Sequence, residues 1–325
     1  MKKSVLHIRL ESGPYSSASI EAGFRQNGFE YHSILWQQLR FNEGIEQTRK
    51  HILQKAAQLK PTIIFCHLQN PEAFDKETWL QLSQHGFVIN YTFDVRYATE
   101  MEWMYEVAPL IGWTFFACSE DVSNCILRGV NNVSQCHSSC DMELFKSNGK
   151  SLFAFDVVFC GNRYDNTSLN FPLAAERQAM VDLIEKKYQS RCMIYGLGQK
   201  GGLIQPGVEA NVYNFSRIAI SQNNFKLHDY TSDRLWRIMA TGCFCLTKYF
   251  PGIEEIFQKE VDLDWFDDFS EMIYLIDFYL NNDELRKKIA ISGSNKVRKF
   301  HNWGERIKLM TNTIKNELLS ELVIS

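Results

Sequence analysis

Short apolar runs alternate with longer stretches of helical period along almost the whole chain, which predicts strands interleaved with helices. VLHIRL (5–10) reads as a first strand. A Ser/Gly/Pro-rich turn, ESGPYSSAS, leads from it into SIEAGFRQNG, a helix that stops at Gly28. EYHSILW, the helical run IEQTRKHILQKAAQL and the strand TIIFCHL (62–68) come next. In the helix DKETWLQLSQHG, Asp75 is the expected cap and Gly86 the expected stop. FVINYTFDVR and IGWTFFACS complete the first set of strands.

A polar stretch, FKSNGKSL (145–152), breaks the rhythm and is read as a linker. Alternation then restarts with FDVVFCG, the helix ERQAMVDLIEKKY, RCMIYG, a short helix near VEANVYNF, RIAIS, a helix within DYTSDRLWRIMATG, CFCLT and GIEEIFQ. The remainder, EMIYLIDFYL, ELRKKIAISG and ERIKLMTNTIKNELL, is helical. This order predicts an α/β protein of two doubly wound, Rossmann-like domains built on parallel sheets. The expected domains span residues 1–147 and 148–304, with a helix over 305–325 packing back toward the first. Such sheets bind ligands beyond the carboxyl ends of their strands, so a crevice between the domains is the expected site.

Composition mainly excludes. At 325 residues, 45% hydrophobic and 22% charged, the chain has enough apolar material for two cores. No apolar run approaches the roughly 20 residues that cross a bilayer, and the start MKKSVLHIRLESG holds no signal-peptide core, so a cytoplasmic address is expected. The net charge of −3 is evenly spread: residues 1–150 carry 14 Lys+Arg against 16 Asp+Glu, and the rest 21 against 22. That balance disfavours a general polyanion binder. Five of the nine cysteines lie in strand-like runs. Cys118, Cys125, Cys136 and Cys140, beside His137, have spacings that fit no common zinc pattern, so no metal site is expected.

One motif is a decoy. GLGQKG, starting at Gly196, fits G-x-G-x-x-G but continues into GLIQPG, where Pro206 and Gly207 are expected to break a helical period. A dinucleotide fingerprint needs that turn to open directly into a helix; Gly196 instead suits close approach of backbone to a nucleotide base. More informative is the Asp229–Gly242 stretch. Leu235, Ile238 and Met239 have the spacing of a buried face, leaving Arg234 and Arg237 toward its open side. A helix start with nearby arginines suits a diphosphate, and the polar run Asp229, Tyr230, Thr231, Ser232, Asp233 lies at that turn. The competing reading is a surface ion pair between Asp233 and Arg237.

Two further sets weigh in. Asp94 falls near the carboxyl end of a first-domain strand, as a general base for an acceptor hydroxyl or as a turn cap paired with Arg96. Ser12 and Gly13, in the turn after the first strand, join Arg96 as acceptor-side candidates. In FCGNRY, Gly161 ends a buried strand, so Asn162 and Arg163 emerge at the edge of the expected crevice. Arg177 opens the following helix, an unfavourable place for a cation unless an anion is near.

Together these elements resemble the donor domain of GT-B glycosyltransferases. The likeness is nearest to the bacterial spore-maturation glycosyltransferase-like family, through Ser232, Arg234, Arg237, Met239, Ala240, Gly242 and the turn Gly252, Ile253, Glu254, Glu255, with F-D-V-R ending at Arg96. A more distant likeness is to the DNA β-glucosyltransferases of T-even phages. The resemblance implies a nucleotide-sugar donor, expected to be a UDP-sugar, with no further cofactor and an inverting transfer. It places Asp94 on the catalytic base and Arg177 and Arg234 on diphosphate-binding arginines. The acceptor is expected to be a glycan, a protein or a hydroxymethylated pyrimidine in phage DNA. One position departs: Arg237 stands where the family carries a ribose-holding glutamate, and an arginine cannot accept hydroxyl protons. A degenerate GT-B protein that binds without turnover is therefore the alternative.

Overall fold

A computed structural model describes residues 3–9, 15–68, 72–92, 95, 102–149, 152–164 and 171–324. The chain forms two compact units, residues 1–138 with 303–325, and residues 139–302.

The first unit holds six parallel strands: β1 (Ser4–Arg9), β2 (Glu30–Leu35), β3 (Ile63–Cys66), β4 (Phe87–Thr92), β5 (Trp113–Phe116) and β6 (Val133–Gln135). Their order across the sheet is β2-β1-β3-β4-β5-β6. All four residues of β3 and of β5 are buried, as expected where helices cover both faces. The Asp75 cap forms as read: its carboxylate accepts from the Thr78 amide at 2.8 Å. Trp303, Ile307, Met310 and Ile314 of the Trp303–Ile324 helix enter the same core as Val5, Phe24, Phe65 and Tyr91. That helix lies along the Tyr15–Gln26 helix at Gly23, where an added Cβ would meet the Trp303 backbone at 2.9 Å.

The second unit holds β7 (Phe155–Cys160), β8 (Cys192–Tyr195), β9 (Ser216–Ser221), β10 (Phe244–Lys248) and β11 (Asp264–Phe266), all parallel in the order β11-β10-β9-β7-β8. The stretch read as a linker lies inside this unit, where its Phe145 is a core residue packed with Trp236 and Met239. Pro206 does not break a helix; it opens one, Pro206–Asn214, because the first helical position needs no amide donor. The Asp233–Ala240 helix buries Leu235, Ile238 and Met239 as expected, and Trp236 and Ala240 with them. All nine cysteines are buried and unpaired, and the described residues contain no cluster able to hold a metal ion. No described helix is long and apolar enough to cross a membrane.

Two tests follow from this packing. Gly293, inside the Asp283–Phe300 helix, lets that helix approach so closely that an added Cβ would stand 1.9 Å from the Asp262 carbonyl oxygen and 2.7 Å from Met239 Cε. Alanine gains about 1 kcal/mol of helix propensity, but overpacking costs about 1–3 kcal/mol and backbone cannot swing aside as a side chain does. Gly293→Ala is expected to lower the thermal midpoint; an unchanged midpoint would mean that the helix shifts freely. In the first unit, the buried rings of His7 and His67 lie 4.8 Å apart. Burial, then the neighbouring His67 and Arg9, holds His7 well below the ordinary histidine range, and burial with Arg9 pushes His67 down to about 3. Unfolding therefore takes up protons below the unfolded histidine value of about 6.5, and stability falls as pH drops through that point. Urea midpoints between pH 7.5 and 5 should fall less steeply for His67→Gln than for wild type; parallel profiles would refute the assignment.

Candidate functional site

The carboxyl end of the second sheet gathers two arginines. Arg234, in the first turn of the Asp233–Ala240 helix, donates from Nε to the Cys160 carbonyl at the end of β7 and from Nη1 to the Gln222 carbonyl just beyond β9, the latter at 2.9 Å. Its guanidinium lies 5.1 Å from the centre of the Phe159 ring. Arg177, in the first turn of the Ala174–Tyr188 helix, lies 5.8 Å from that same ring and 4.9 Å from the Tyr164 ring. Its Nη2 donates to the Asn162 carbonyl at 2.6 Å, while Nη1 is buried without a partner. Arg177 is only 3% exposed. Burial first, then the charge of Arg234, pushes it down to about 10, which leaves it cationic at neutral pH. Neither arginine has an ion-pair partner among the described residues.

The strand-end loops around these cations are built by close backbone contact. Gly196 follows β8 at φ 141°, and a Cβ there would lie 2.3 Å from the Gly161 carbonyl oxygen. The Asn162 side chain accepts from the Leu197 amide at 2.9 Å, and the Arg163 amide donates to the Leu197 carbonyl at 2.8 Å. The glycine turn closes on itself, with the Gly196 amide donating to the Gly202 carbonyl at 2.8 Å, and opens into no helix. Gly161, Asn162, Arg163 and Gly196 thus form one continuous rim beside Arg177 and Arg234.

Asp229 sits in the left-handed region at φ 51° and donates its amide to the Pro251 carbonyl at 2.6 Å. This brings it against Gly252, and His228 bridges toward Glu255 at 3.2 Å. Tyr230 and Ser232 are tied to Asn223, whose side chain donates to the Tyr230 carbonyl and accepts from the Ser232 amide. Arg237 is engaged elsewhere: it pairs with Asp233 and, at 3.0 Å, with the buried Glu209, whose other oxygen accepts from the Tyr213 hydroxyl. Burial alone would lower the Arg237 pKa, but the carboxylates of Asp233 and Glu209 overcome it and raise the group above its ordinary value. The Asp233–Arg237 ion pair therefore forms, extended by a third member that sequence spacing did not reveal. Asp94, Arg96, Ser12 and Gly13 lie outside the described residues.

Sequence reading missed Gln222, Asn223 and Glu209. The polar run SQNN directly after the apolar β9 was the available signal for the first two. Within the second unit, every described residue with a buried side-chain polar atom lacking a partner belongs to this end: Arg177, Ser221, Gln222, Asn224 and Ser232. Buried polar groups are ordinarily paired, so such a concentration marks a place that awaits a polar ligand or solvent.

Residues 177–312 match the family described as glycosyl transferase-like. In fold the chain is similar to Anabaena Alr3699/HepE in complex with UDP-glucose, with 10% identity, 96% of this chain and 99% of that one covered, and a TM-score of 0.63. Sucrose-phosphate synthase from Thermosynechococcus elongatus gives 11% identity, 98% and 100% coverage and 0.64. α,α-Trehalose 6-phosphate synthase from Burkholderia multivorans gives 9% identity, 99% and 100% coverage and 0.60. A comparison with curated protein sequences finds no match. The class that the fold and the family match define is the GT-B glycosyltransferases, and the matched stretch carries Arg177, Arg234 and Arg237.

A buried cation without a counter-ion costs folding free energy. Arg177→Met keeps the stem and removes the charge, and it is expected to leave the thermal midpoint of the ligand-free protein at or above that of wild type. A clear drop would instead make Arg177 a structural residue.

Proposed function

We propose that the protein moves a sugar from a nucleotide-sugar donor, a UDP-sugar, to an acceptor hydroxyl, and that Arg177 and Arg234 hold the donor's diphosphate. The observation that carries this is the convergence of two arginines on one face of Phe159 with no described carboxylate paired to either. Two like charges held together at the mouth of a sheet are stabilised by an anion and by little else. As the bond from the sugar's anomeric carbon to the diphosphate oxygen breaks, negative charge grows on the leaving group. Guanidinium donors already in place stabilise that charge without having to reorganise.

In this reading Asp94 takes the proton from the acceptor hydroxyl, whose oxygen attacks the anomeric carbon from the opposite side and inverts it. Its support is the position near the end of the fourth strand and the family resemblance. The acceptor is a glycan or protein, or a hydroxymethylated pyrimidine in phage DNA. The even charge distribution favours the former, and a steep loss of binding with rising salt would favour DNA. The proposed address is cytoplasmic, where nucleotide-sugars are available.

A thermal-shift screen with UDP and UDP-sugars tests the donor. A ligand at 100 times its dissociation constant stabilises by about 2.7 kcal/mol. Arg234→Met and Arg177→Met are each expected to weaken UDP binding about 10- to 100-fold, the range for charge-assisted hydrogen bonds. Asp94→Asn should keep donor binding and lose turnover. The commitment of Arg237 to Asp233 and Glu209 favours a second reading, a GT-B protein that binds donor without transfer. Stabilisation by a UDP-sugar with no sugar ever released or transferred would establish it.

A further inference from the structure

Beside the arginines, the second unit has a small pocket lined by Glu176, Gln222, Phe225, Lys226, Lys248 and Tyr249, among others, with a volume of about 380 Å³ that includes space open to solvent. That is near the lower end of the roughly 300–1,000 Å³ of small-molecule sites, room for one ring and not for a whole nucleotide-sugar. Gln222 links it to the diphosphate seat. Its backbone carbonyl accepts from Arg234, while its side chain is fully buried with both amide atoms unpartnered. Glu176 is the neighbour of Arg177 in the chain and pairs with Lys248 at 3.3 Å. Lys248 is fixed in turn, donating to the Asp267 carbonyl and lying 5.9 Å from the Phe266 ring centre.

We infer that this pocket is the subsite for the donor's sugar ring, with Gln222, Glu176 and Lys248 as its specificity-determining residues. The inference rests on the diphosphate reading of Arg177 and Arg234. An amide offers both a donor and an acceptor, and a carboxylate–ammonium pair adds one of each, the set that matches neighbouring hydroxyls on a sugar ring. Phe225 and Tyr249 supply the apolar wall that a ring's C–H face covers. The sheet order supports the polarity of the donor. β10, which carries Lys248, lies on one side of the β7–β9 pair that seats the arginines, and β8, which carries the glycine turn, lies on the other. The turn presents backbone edges and the exposed Leu197 and Leu203, a surface suited to a flat base. The diphosphate in the middle then directs the base toward β8 and the sugar toward β10.

Binding of UDP and of UDP-glucose, UDP-galactose and UDP-N-acetylglucosamine is compared by calorimetry for wild type, Gln222→Met and Glu176→Gln. The two variants should bind UDP as wild type does and bind the preferred UDP-sugar about three- to tenfold more weakly, the loss of one or two neutral hydrogen bonds. Equal weakening of UDP and UDP-sugar, or no change in either, overturns the subsite. Absence of UDP binding by wild type overturns the diphosphate reading, and the subsite with it. Because Gln222→Met carries the risk of disturbing Arg234 through its carbonyl, Glu176→Gln, whose carboxylate contacts no arginine among the described residues, provides the independent arm.

Discussion

Like-charge repulsion between Arg177 and Arg234 is the constraint around which the second unit is organised. Neither guanidinium is free to turn away. One is locked onto the carbonyls that end β7 and follow β9, and the other is wedged between the rings of Phe159 and Tyr164. Main-chain carbonyls and aromatic faces attract a cation without neutralising it. The site thus keeps its positive charge, and the cores of Trp236, Met239, Val157 and Ile218 hold the frame against the strain.

Arg237 shows the opposite treatment of the same residue type. One turn further along the helix, it is satisfied by Asp233 and by Glu209 from the Pro206–Asn214 helix. A satisfied arginine fastens two helices together, whereas an unsatisfied one leaves charge for a ligand. Sequence spacing placed both on one face and could not separate these roles, because the deciding partner, Glu209, is 28 residues away.

Much of the fold was legible because its strands are nearly unbroken apolar runs and its helices carry clear periods. IIFC and WTFF announce buried parallel strands, and Asp75 announces its own cap. Where the reading slipped, local chemistry was overridden or ambiguous. FKSNGKSL has a linker's composition, yet its single Phe145 is enough to tie it into a core. Pro206 breaks helices from within and opens them from the front, and the sequence alone did not say which. At the site, Arg177 could be picked out because a cation at a helix start is out of place. Gln222 could not, since an amide after a strand is unremarkable until both its polar atoms are seen to lack partners.

The helix formed by residues 303–324 belongs with strands made some 200–300 residues before it. During synthesis the first unit therefore emerges with the seat for Trp303, Ile307 and Met310 still empty, and its apolar lining exposed. The second unit has all its own parts by residue 302 and can close earlier, although its sequence is translated later. Order of assembly in this protein runs against order of translation, and the last turns to leave the ribosome are the ones that finish the beginning.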